Sequence, residues 1–127
     1  MNTPDHLRYE KTDEWVKLDG DTAVIGISDY AQDQLSDVVF AEIQVSVGDL
    51  LPASKVIATV ESVKATSDVH TPLSGKVIAI NEEIATSPEI LNADPYNSGW
   101  LIKIQVVKPD EWDHLMSAAA YQKFRTK

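Results

Sequence analysis

Short apolar runs rich in β-branched residues recur along the chain. They lie at positions 14–18, 22–27, 39–47, 55–60, 76–80 and 100–107. In the run 39–47 the apolar positions are spaced two apart, which is typical of a half-buried strand. Turn-forming Gly, Pro, Asn and Asp residues separate the runs. The pattern predicts an all-β fold with short helices, arranged as a β-sandwich or flattened barrel.

Two hairpins are predicted from the turn residues between strands. Asp19-Gly20-Asp21 separates the runs 14–18 and 22–27, and an Asp-Gly pair between apolar runs is a strong hairpin signal. The second hairpin has a short polar centre between the run 55–60 and the extended segment that begins at Asp68. This polar centre places Lys64 at or near the tip of the hairpin.

The helical signals are short and lie between or after the strands. Ser28 can cap a helix over 28–35, and one helical turn is expected at 89–91. Pro109 suits the first position of a helix, so residues 109–127 are predicted to form a helical C-terminal extension. Ser117 is a candidate break that would divide this extension into two short helices.

Length and composition limit the function classes. The 127 residues suit one domain over 1–127 with one core, and no apolar run is long enough to span a bilayer. Residues 1–8 are polar and predicted to fray. They lack the features of a secretory signal or transit peptide, so we expect a cytoplasmic bacterial or archaeal protein, or a mature protein of the mitochondrial matrix.

Charge and cysteine content exclude further classes. The formal net charge of −9 disfavours nucleic-acid binding, which needs clustered Lys and Arg, and favours partners with basic docking surfaces. The chain has no Cys, which excludes disulfides, zinc–thiolate sites and cysteine catalysis. Any sulfur chemistry must therefore come from a cofactor.

The sequence shows no catalytic or metal-binding pattern. His6, His70 and His114 are scattered without metal-ligand spacing, and no glycine-rich phosphate loop or nucleophile motif is present. The adjacent acids at 13–14 and 82–83 would point to opposite faces of a strand, so neither pair is an obvious acid–base dyad. We therefore predict no catalytic residues and no metal site.

Lys64 is the remaining candidate. A lysine at a hairpin tip usually serves only solubility, and an exposed one is protonated at neutral pH, which makes it a poor Schiff-base catalyst. Such a lysine does suit attachment of a group by another enzyme, which can deprotonate the amine in its own site. The small neighbours Ser62 and Ala65 leave room for that enzyme.

The segment Glu61-Ser-Val-Lys64-Ala-Thr66-Ser-Asp68 resembles the lipoylation motif of the glycine cleavage system H protein family. Further similarities follow in the family's order along almost the whole chain. They are Glu14-Trp15-Val16, Gly26-Ile-Ser-Asp-Tyr-Ala-Gln32, Val38-Val-Phe40 with Glu42, Val47-Gly48-Asp49, Pro72-Leu-Ser-Gly75 with Val77 and Asn81, Leu91-Asn92-Ala-Asp-Pro-Tyr96, and Gly99-Trp100. Their order and spacing together make the resemblance specific.

The resemblance implies a lipoyl-domain-like barrel-sandwich hybrid with C-terminal helices. It implies lipoate as the covalent cofactor, amide-linked to Lys64 as N6-lipoyllysine, and a carrier role without catalysis. A lipoate ligase or lipoyltransferase would attach the group. By the same resemblance, the residues that this modifying enzyme recognises are Glu61, Ser62, Val63 and Ala65.

The family's partners follow from the same resemblance. Glycine decarboxylase, the pyridoxal-phosphate P protein, loads an aminomethyl group on the arm. Aminomethyltransferase, the T protein, releases ammonia and passes the one-carbon unit to tetrahydrofolate. Dihydrolipoamide dehydrogenase, the L protein with FAD and NAD, reoxidises the dithiol. The residues that match the family's sheltering cleft for the loaded arm are Thr12, Glu14 and Asp68.

The chain departs from the family pattern at three places. Asp13 stands where the family has His, Ser36 where it has Gly, and Gln44-Val-Ser46 replaces a Leu-Pro-x segment. A non-glycine residue at position 36 predicts an unusual backbone or a local shift. None of these departures touches the lysine motif.

Other lysine carriers fit less well. Val63-Lys64-Ala65 differs from the Met-Lys-Met of biotin carriers, and a 2-oxoacid dehydrogenase lipoyl domain is usually followed by a linker and a catalytic domain. An H-like protein that no longer serves glycine cleavage could store lipoate or relay it to other complexes, or it could act as an unmodified interaction protein. The relay would use the same lysine, so it stays open at the level of sequence.

Overall fold

The computed structural model describes residues 1–126 as nine strands, four α-helices and one 3₁₀ helix. The strands are β1 (Arg8–Tyr9), β2 (Glu14–Asp19), β3 (Thr22–Ile27), β4 (Val38–Ile43), β5 (Leu50–Leu51), β6 (Val56–Ser62), β7 (Thr66–His70), β8 (Gly75–Ile80) and β9 (Ile102–Val106). The helices are α1 (Asp29–Leu35), α2 (Glu83–Thr86), α3 (Ile90–Ala93), the 3₁₀ helix Pro109–His114 and α4 (Ala118–Arg125). The prediction of strands with short helices is confirmed.

The strands form two antiparallel sheets. The larger sheet has the order β1-β2-β3-β9-β8-β5, and the smaller has the order β4-β6-β7. Both predicted hairpins are present, as β2–β3 and β6–β7. Gly20 supplies the positive φ of 63° that the β2–β3 turn requires. Leu50–Leu51 pairs only with β8, at the edge of its sheet, where the following Pro52 disrupts no ladder.

Side chains from both sheets share the main hydrophobic core. Ile25, Val77 and Ile104 of the larger sheet and Val60 of the smaller sheet are fully buried in this cluster. The apolar strand faces predicted from the sequence therefore have a common interior. Burial of each such side chain stabilises the fold by about 1.5–3 kcal/mol.

A second buried cluster holds the C-terminal helix. It contains Leu7, Tyr9, Trp15, Ala118 and Tyr121. Trp15 belongs to this cluster whereas its neighbour on β2, Val16, belongs to the main core, because consecutive strand residues point to opposite faces. Helix α4 therefore covers the face of the larger sheet that is turned away from the main core.

The C-terminal extension divides where the sequence suggested. The 3₁₀ helix Pro109–His114 ends before Ser117, whose hydroxyl caps α4 by accepting the Ala120 N–H at 3.2 Å. Lys127, the last residue of the predicted extension, lies outside the described residues.

Two local expectations are wrong. Residues 1–8 do not fray throughout, because Leu7 is buried in the second cluster and Arg8 pairs with Val16. The predicted strand at 39–47 ends at Ile43, and a register shift between Val38 and Phe40 interrupts its alternation. Three apolar side chains of this run are exposed, Val39 by 56%, Phe40 by 45% and Val47 by 60%. Among the described residues, no helix is long and apolar enough to cross a membrane.

Candidate functional site

A tight turn at residues 62–65 carries Lys64 between β6 and β7. The Ser62 N–H donates to the Ala65 carbonyl at 2.8 Å, and the Ser62 hydroxyl accepts the N–H groups of Lys64 and Ala65 at 3.2 and 3.0 Å. One short polar side chain therefore provides the hydrogen-bond acceptor for two backbone N–H groups of the turn. The sequence placed Lys64 at the tip, and the structure has it there.

The tip is exposed but anchored at its base. Lys64 is exposed, and its Nζ forms no hydrogen bond or ion pair within residues 1–126. The Val63 N–H donates to the Asp37 carbonyl at 3.1 Å, which ties the turn to the chain just before β4. Glu61, Val63 and Ala65 are exposed, and Ser62 is half-buried. The four residues predicted for recognition by a modifying enzyme thus surround an accessible amine on a fixed base.

A cleft of about 290 Å³ begins beside this turn. It extends from Ala65 and Thr66 toward the start of β2, and this volume is at the lower end of ligand pockets. Its apolar lining comes from α1 and the adjoining strands, with Ile27, Ala31, Leu35 and Val69. Its polar lining includes Thr12, Asp13, Glu14, Gln34, Ser67 and Asp68. The structure therefore brings the three predicted cleft residues to one cavity.

Glu14 is the buried member of that set, with an exposure of 1%. Its Oε1 accepts a short hydrogen bond from the Thr12 hydroxyl, and its Oε2 accepts the backbone N–H of His70 at 2.9 Å. Burial raises the pKa of the Glu14 carboxyl, and the bonds from His70 and Thr12 partly oppose that rise. Strand β2 fixes this position because Glu14 pairs with Ile27 at the end of the β2–β3 ladder.

Asp68 and Thr12 lie at the open side of the cleft. Asp68 is exposed on β7, where it pairs with Thr59 and accepts a hydrogen bond from the Thr59 hydroxyl at 3.3 Å. Thr12 is also exposed, and its hydroxyl donates to Glu14. The three predicted residues therefore give the cleft one buried carboxyl group, one exposed carboxyl group and one hydroxyl group, beside the Asp13 carboxyl group that also lines it.

The lining fits the predicted lipoyl arm. An arm fixed at Lys64 has an apolar hydrocarbon length, which suits the wall formed by Ala31, Leu35 and Val69. The oxygens of Thr12, Glu14 and Asp68 can accept hydrogen bonds from a cationic group carried by the arm. The residues present thus suit a flexible apolar chain with a positively charged cargo.

Sequence reasoning missed two parts of this site. His70, considered only as a scattered histidine, places its Nδ1 3.5 Å from Glu14 Oε2. Asp13, noted only as a departure from the family, is bound by Tyr121 and Arg125 of α4. These pairs join residues 56 and 108–112 positions apart, so no local spacing in the sequence indicates them.

Comparison with known proteins agrees with the resemblance. A family model described as "Glycine cleavage H-protein" matches residues 7–127. The chain is 47% identical over 124 residues to a glycine cleavage system H protein of Halothermothrix orenii, covering 98% of this chain and 96% of that protein. It is also 47% identical over 118 residues to mitochondrial glycine cleavage system H protein 2 of Arabidopsis thaliana, covering 93% of this chain and 75% of that protein.

The crystal structure of a glycine cleavage system H protein from Mycobacterium marinum superposes with a TM-score of 0.88. The sequences are 28% identical, and the match covers 98% of this chain and 99% of the other. This likeness confirms the predicted fold, a lipoyl-domain-like barrel-sandwich with short helices.

Proposed function

The chain belongs to the glycine cleavage H-protein family, and from that membership we propose that it is the lipoylated carrier of the glycine cleavage system. Lipoate is amide-linked to Lys64. The observation that carries the proposal is the unpaired, exposed Lys64 on an ordered turn beside a cleft with apolar walls and buried and exposed acids.

Lipoate supplies a disulfide that accepts an aminomethyl group and a dithiol that is reoxidised afterwards. The chain's own contribution begins at the turn. Ser62 fixes the backbone of Lys64 and Ala65, so the attachment point is rigid while the arm is free to move. Val63, Glu61 and Ala65 surround the amine as the surface that a lipoate ligase or lipoyltransferase recognises.

The cleft shelters the cargo between partners. Leu35 and Val69 exclude water from the arm. The Glu14 carboxylate accepts a hydrogen bond from the carried ammonium group. Thr12 orients Glu14 through its hydroxyl, and Asp68 supplies a second carboxylate at the open side. A charge-assisted hydrogen bond of this kind is shorter and stronger than a neutral one.

The protein works as a carrier without catalysis of its own. Its partners are the pyridoxal-phosphate glycine decarboxylase, the tetrahydrofolate-dependent aminomethyltransferase and the flavin dihydrolipoamide dehydrogenase. The net charge of −9 supports association with partners that present basic docking surfaces. The predicted compartment is the cytoplasm, or the mitochondrial matrix for a mature eukaryotic protein.

Intact mass measured before and after incubation with a lipoate ligase and lipoate tests the attachment site. We expect wild-type protein to gain one lipoyl group and Lys64→Arg to gain none. Lys55→Arg, at another exposed lysine near the start of β6, is the matched control and is expected to be modified normally. Modification of Lys64→Arg, or failure of the wild type, contradicts the assignment.

Reconstitution with the other proteins separates glycine cleavage from lipoate relay. The lipoylated protein is incubated with glycine decarboxylase and labelled glycine, and transfer of label to the carrier is measured. We expect labelling that depends on Lys64. A lipoylated carrier that takes up no label but passes its lipoyl group to a 2-oxoacid dehydrogenase subunit would indicate the relay function.

A further inference from the structure

We propose that His70 is a positioning residue for Glu14. Its Nδ1–H donates to the buried carboxylate, so that Glu14 remains an anion that faces the cleft beside the Lys64 turn, which we call the arm cleft. This inference rests on the proposed function, because it assigns a task to Glu14 in sheltering the carried amine. It concerns a residue that neither the sequence pattern nor the lysine motif singles out.

Glu14 lies between two cavities. On one side is the arm cleft described above. A second cavity, of about 370 Å³, is lined by Glu10, Thr12, Glu14, Ser54, His70, Thr71 and Pro72. Thr12 and Glu14 line both cavities. His70 lines only the second, so it approaches the Glu14 carboxylate from a different side than an arm in the cleft does.

The Glu14–His70 contact has two parts. The backbone N–H of His70 donates to Oε2 at 2.9 Å, and the imidazole Nδ1 lies 3.5 Å from the same oxygen. Nδ1 is buried and has no hydrogen-bond partner within residues 1–126. A buried polar nitrogen without a hydrogen-bond partner destabilises the folded protein. A small rotation of the ring brings Nδ1 within hydrogen-bond distance of Glu14 Oε2. The imidazole therefore completes its hydrogen bonding by donating to Glu14.

The burial of Glu14 and the acids around it make the His70 N–H important for keeping Glu14 ionised. Burial raises the pKa of the Glu14 carboxyl, which favours its neutral form. Apart from Glu14 and His70, the titratable side chains that line the two cavities are Glu10, Asp13 and Asp68, all of them acids. Asp13 turns its carboxylate to Arg125, and the ionised carboxylates of Glu10 and Asp68 have no N–H to donate to Glu14. Among the described lining residues, His70 is the side chain that can place a ring N–H against Glu14.

The ionisation of Glu14 matters for the cargo. An ionised carboxylate stabilises the protonated form of a nearby amine, whereas a neutral carboxyl does not. The protonated amine has no free lone pair and cannot expel the sulfur to which its carbon is bound. By holding Glu14 as an anion, His70 therefore lengthens the life of the loaded state.

Two substitutions at position 70 separate hydrogen bonding from packing. His70→Phe keeps a planar ring without the nitrogen, whereas His70→Asn places an amide N–H close to the position of Nδ1 but loses the ring. Ser54→Ala, in the lining of the same cavity, is the matched control. Titration of the Glu14 carboxyl by NMR, with ¹³C-labelled glutamate in the unlipoylated protein, gives a readout that is independent of glycine cleavage.

We expect His70→Phe to raise the measured Glu14 pKa by about 1, and His70→Asn and Ser54→Ala to stay within about 0.5 of wild type. Equal Glu14 pKa values in wild type and His70→Phe would overturn the proposal. An equal rise in the Phe and Asn variants would also overturn it, because the ring and not its N–H would then be responsible. Failure of Lys64 to accept lipoate contradicts the proposed function but leaves this titration interpretable.

The lifetime of the carried group on the lipoylated protein is the second readout. We expect it to shorten about tenfold in His70→Phe, the change that corresponds to a pKa shift of about 1. His70→Asn should retain the wild-type lifetime. Equal lifetimes in wild type and His70→Phe would overturn the link between His70 and the cargo.

Discussion

Asp13 and Arg125, 112 positions apart, form a double hydrogen bond at one side of the arm cleft. Arg125 donates from Nε to Oδ1 and from Nη2 to Oδ2, each at 2.8 Å. The Tyr121 hydroxyl also donates to Oδ1, at 2.7 Å. Because Asp13 directly precedes Glu14, this contact ties α4 to the segment that carries the buried carboxylate. The position that departs from the family pattern therefore joins the C-terminal helix to the site.

The first prediction concerns the strength of this contact. Removing Arg125 leaves the partly buried Asp13 carboxylate without its cation, so we expect Arg125→Ala to lower the midpoint of thermal unfolding. A double-mutant cycle with Asp13→Ala should give a coupling free energy of about 1–2 kcal/mol by urea unfolding. Lys123→Ala, at an exposed position of the same helix, should change the stability little. A coupling energy near zero would show that the ion pair does not hold α4.

The second prediction concerns Ser36, which adopts φ 66° and ψ −149°. This backbone region is almost confined to glycine, and a side chain there is strained. The Asn92 side chain holds the conformation by donating to the Ser36 carbonyl at 2.8 Å and accepting the Val38 N–H at 2.8 Å. We expect Ser36→Gly to stabilise the fold by about 1 kcal/mol in urea unfolding.

Ser36→Ala is the control for this prediction, because alanine keeps the Cβ atom and its strain. It should not stabilise the protein. If the Gly and Ala variants unfold at the same denaturant concentration, backbone strain at position 36 is not the cause of any change.

The third prediction concerns the turn that carries the lysine. In Ser62→Ala the N–H groups of Lys64 and Ala65 lose their acceptor, so the turn should become more mobile. We expect lower ¹⁵N heteronuclear NOE values at Lys64. A loss of about 0.5–1.5 kcal/mol of turn stability lowers kcat/KM for lipoylation by about 2- to 12-fold. Ser67→Ala, on the opposite strand, should be lipoylated at the wild-type rate. Equal rates for the two variants would contradict a positioning role for the Ser62 hydroxyl.

The sequence predicted the strands and the helix caps well because both depend on local patterns. The Asp-Gly turn, the cap at Ser28 and the break at Ser117 all follow from residues close together in the chain. The predicted strand at 39–47 is too long because its pairing with β6 ends at Ile43. A bulge near Val39 also shifts which side chains face the core, and no residue type in that run signals a bulge.

The site could be predicted only in part. Lys64 and its neighbours lie in one continuous motif, and the resemblance to a known family indicated Thr12, Glu14 and Asp68. The contacts that complete the site cross between strands and from β2 to α4, as in Glu14–His70 and Asp13–Arg125. Such pairs depend on how the elements pack, which periodicity and turn chemistry do not determine.

The last prediction is a pH dependence of stability that comes from Glu14. Its pKa is raised by burial in the folded protein, whereas in the unfolded chain it is near the ordinary value of about 4.3. Between the two pKa values the folded state binds more protons, so the free energy of unfolding falls as pH rises from about 4 through the folded pKa, and then levels off. Each unit of difference between the two pKa values corresponds to about 1.4 kcal/mol.

Glu14→Gln removes this titration while keeping an oxygen acceptor for the His70 N–H. The wild type should therefore lose stability relative to Glu14→Gln as pH rises from 4 to 7, measured by urea unfolding at several pH values. Glu42→Gln, at an exposed position, controls for the loss of one negative charge. A stability difference between wild type and Glu14→Gln that stays constant over this range would contradict a raised Glu14 pKa. In His70→Phe the decline in the free energy of unfolding should extend to higher pH, because the folded pKa of Glu14 rises further when the ring N–H of His70 is removed.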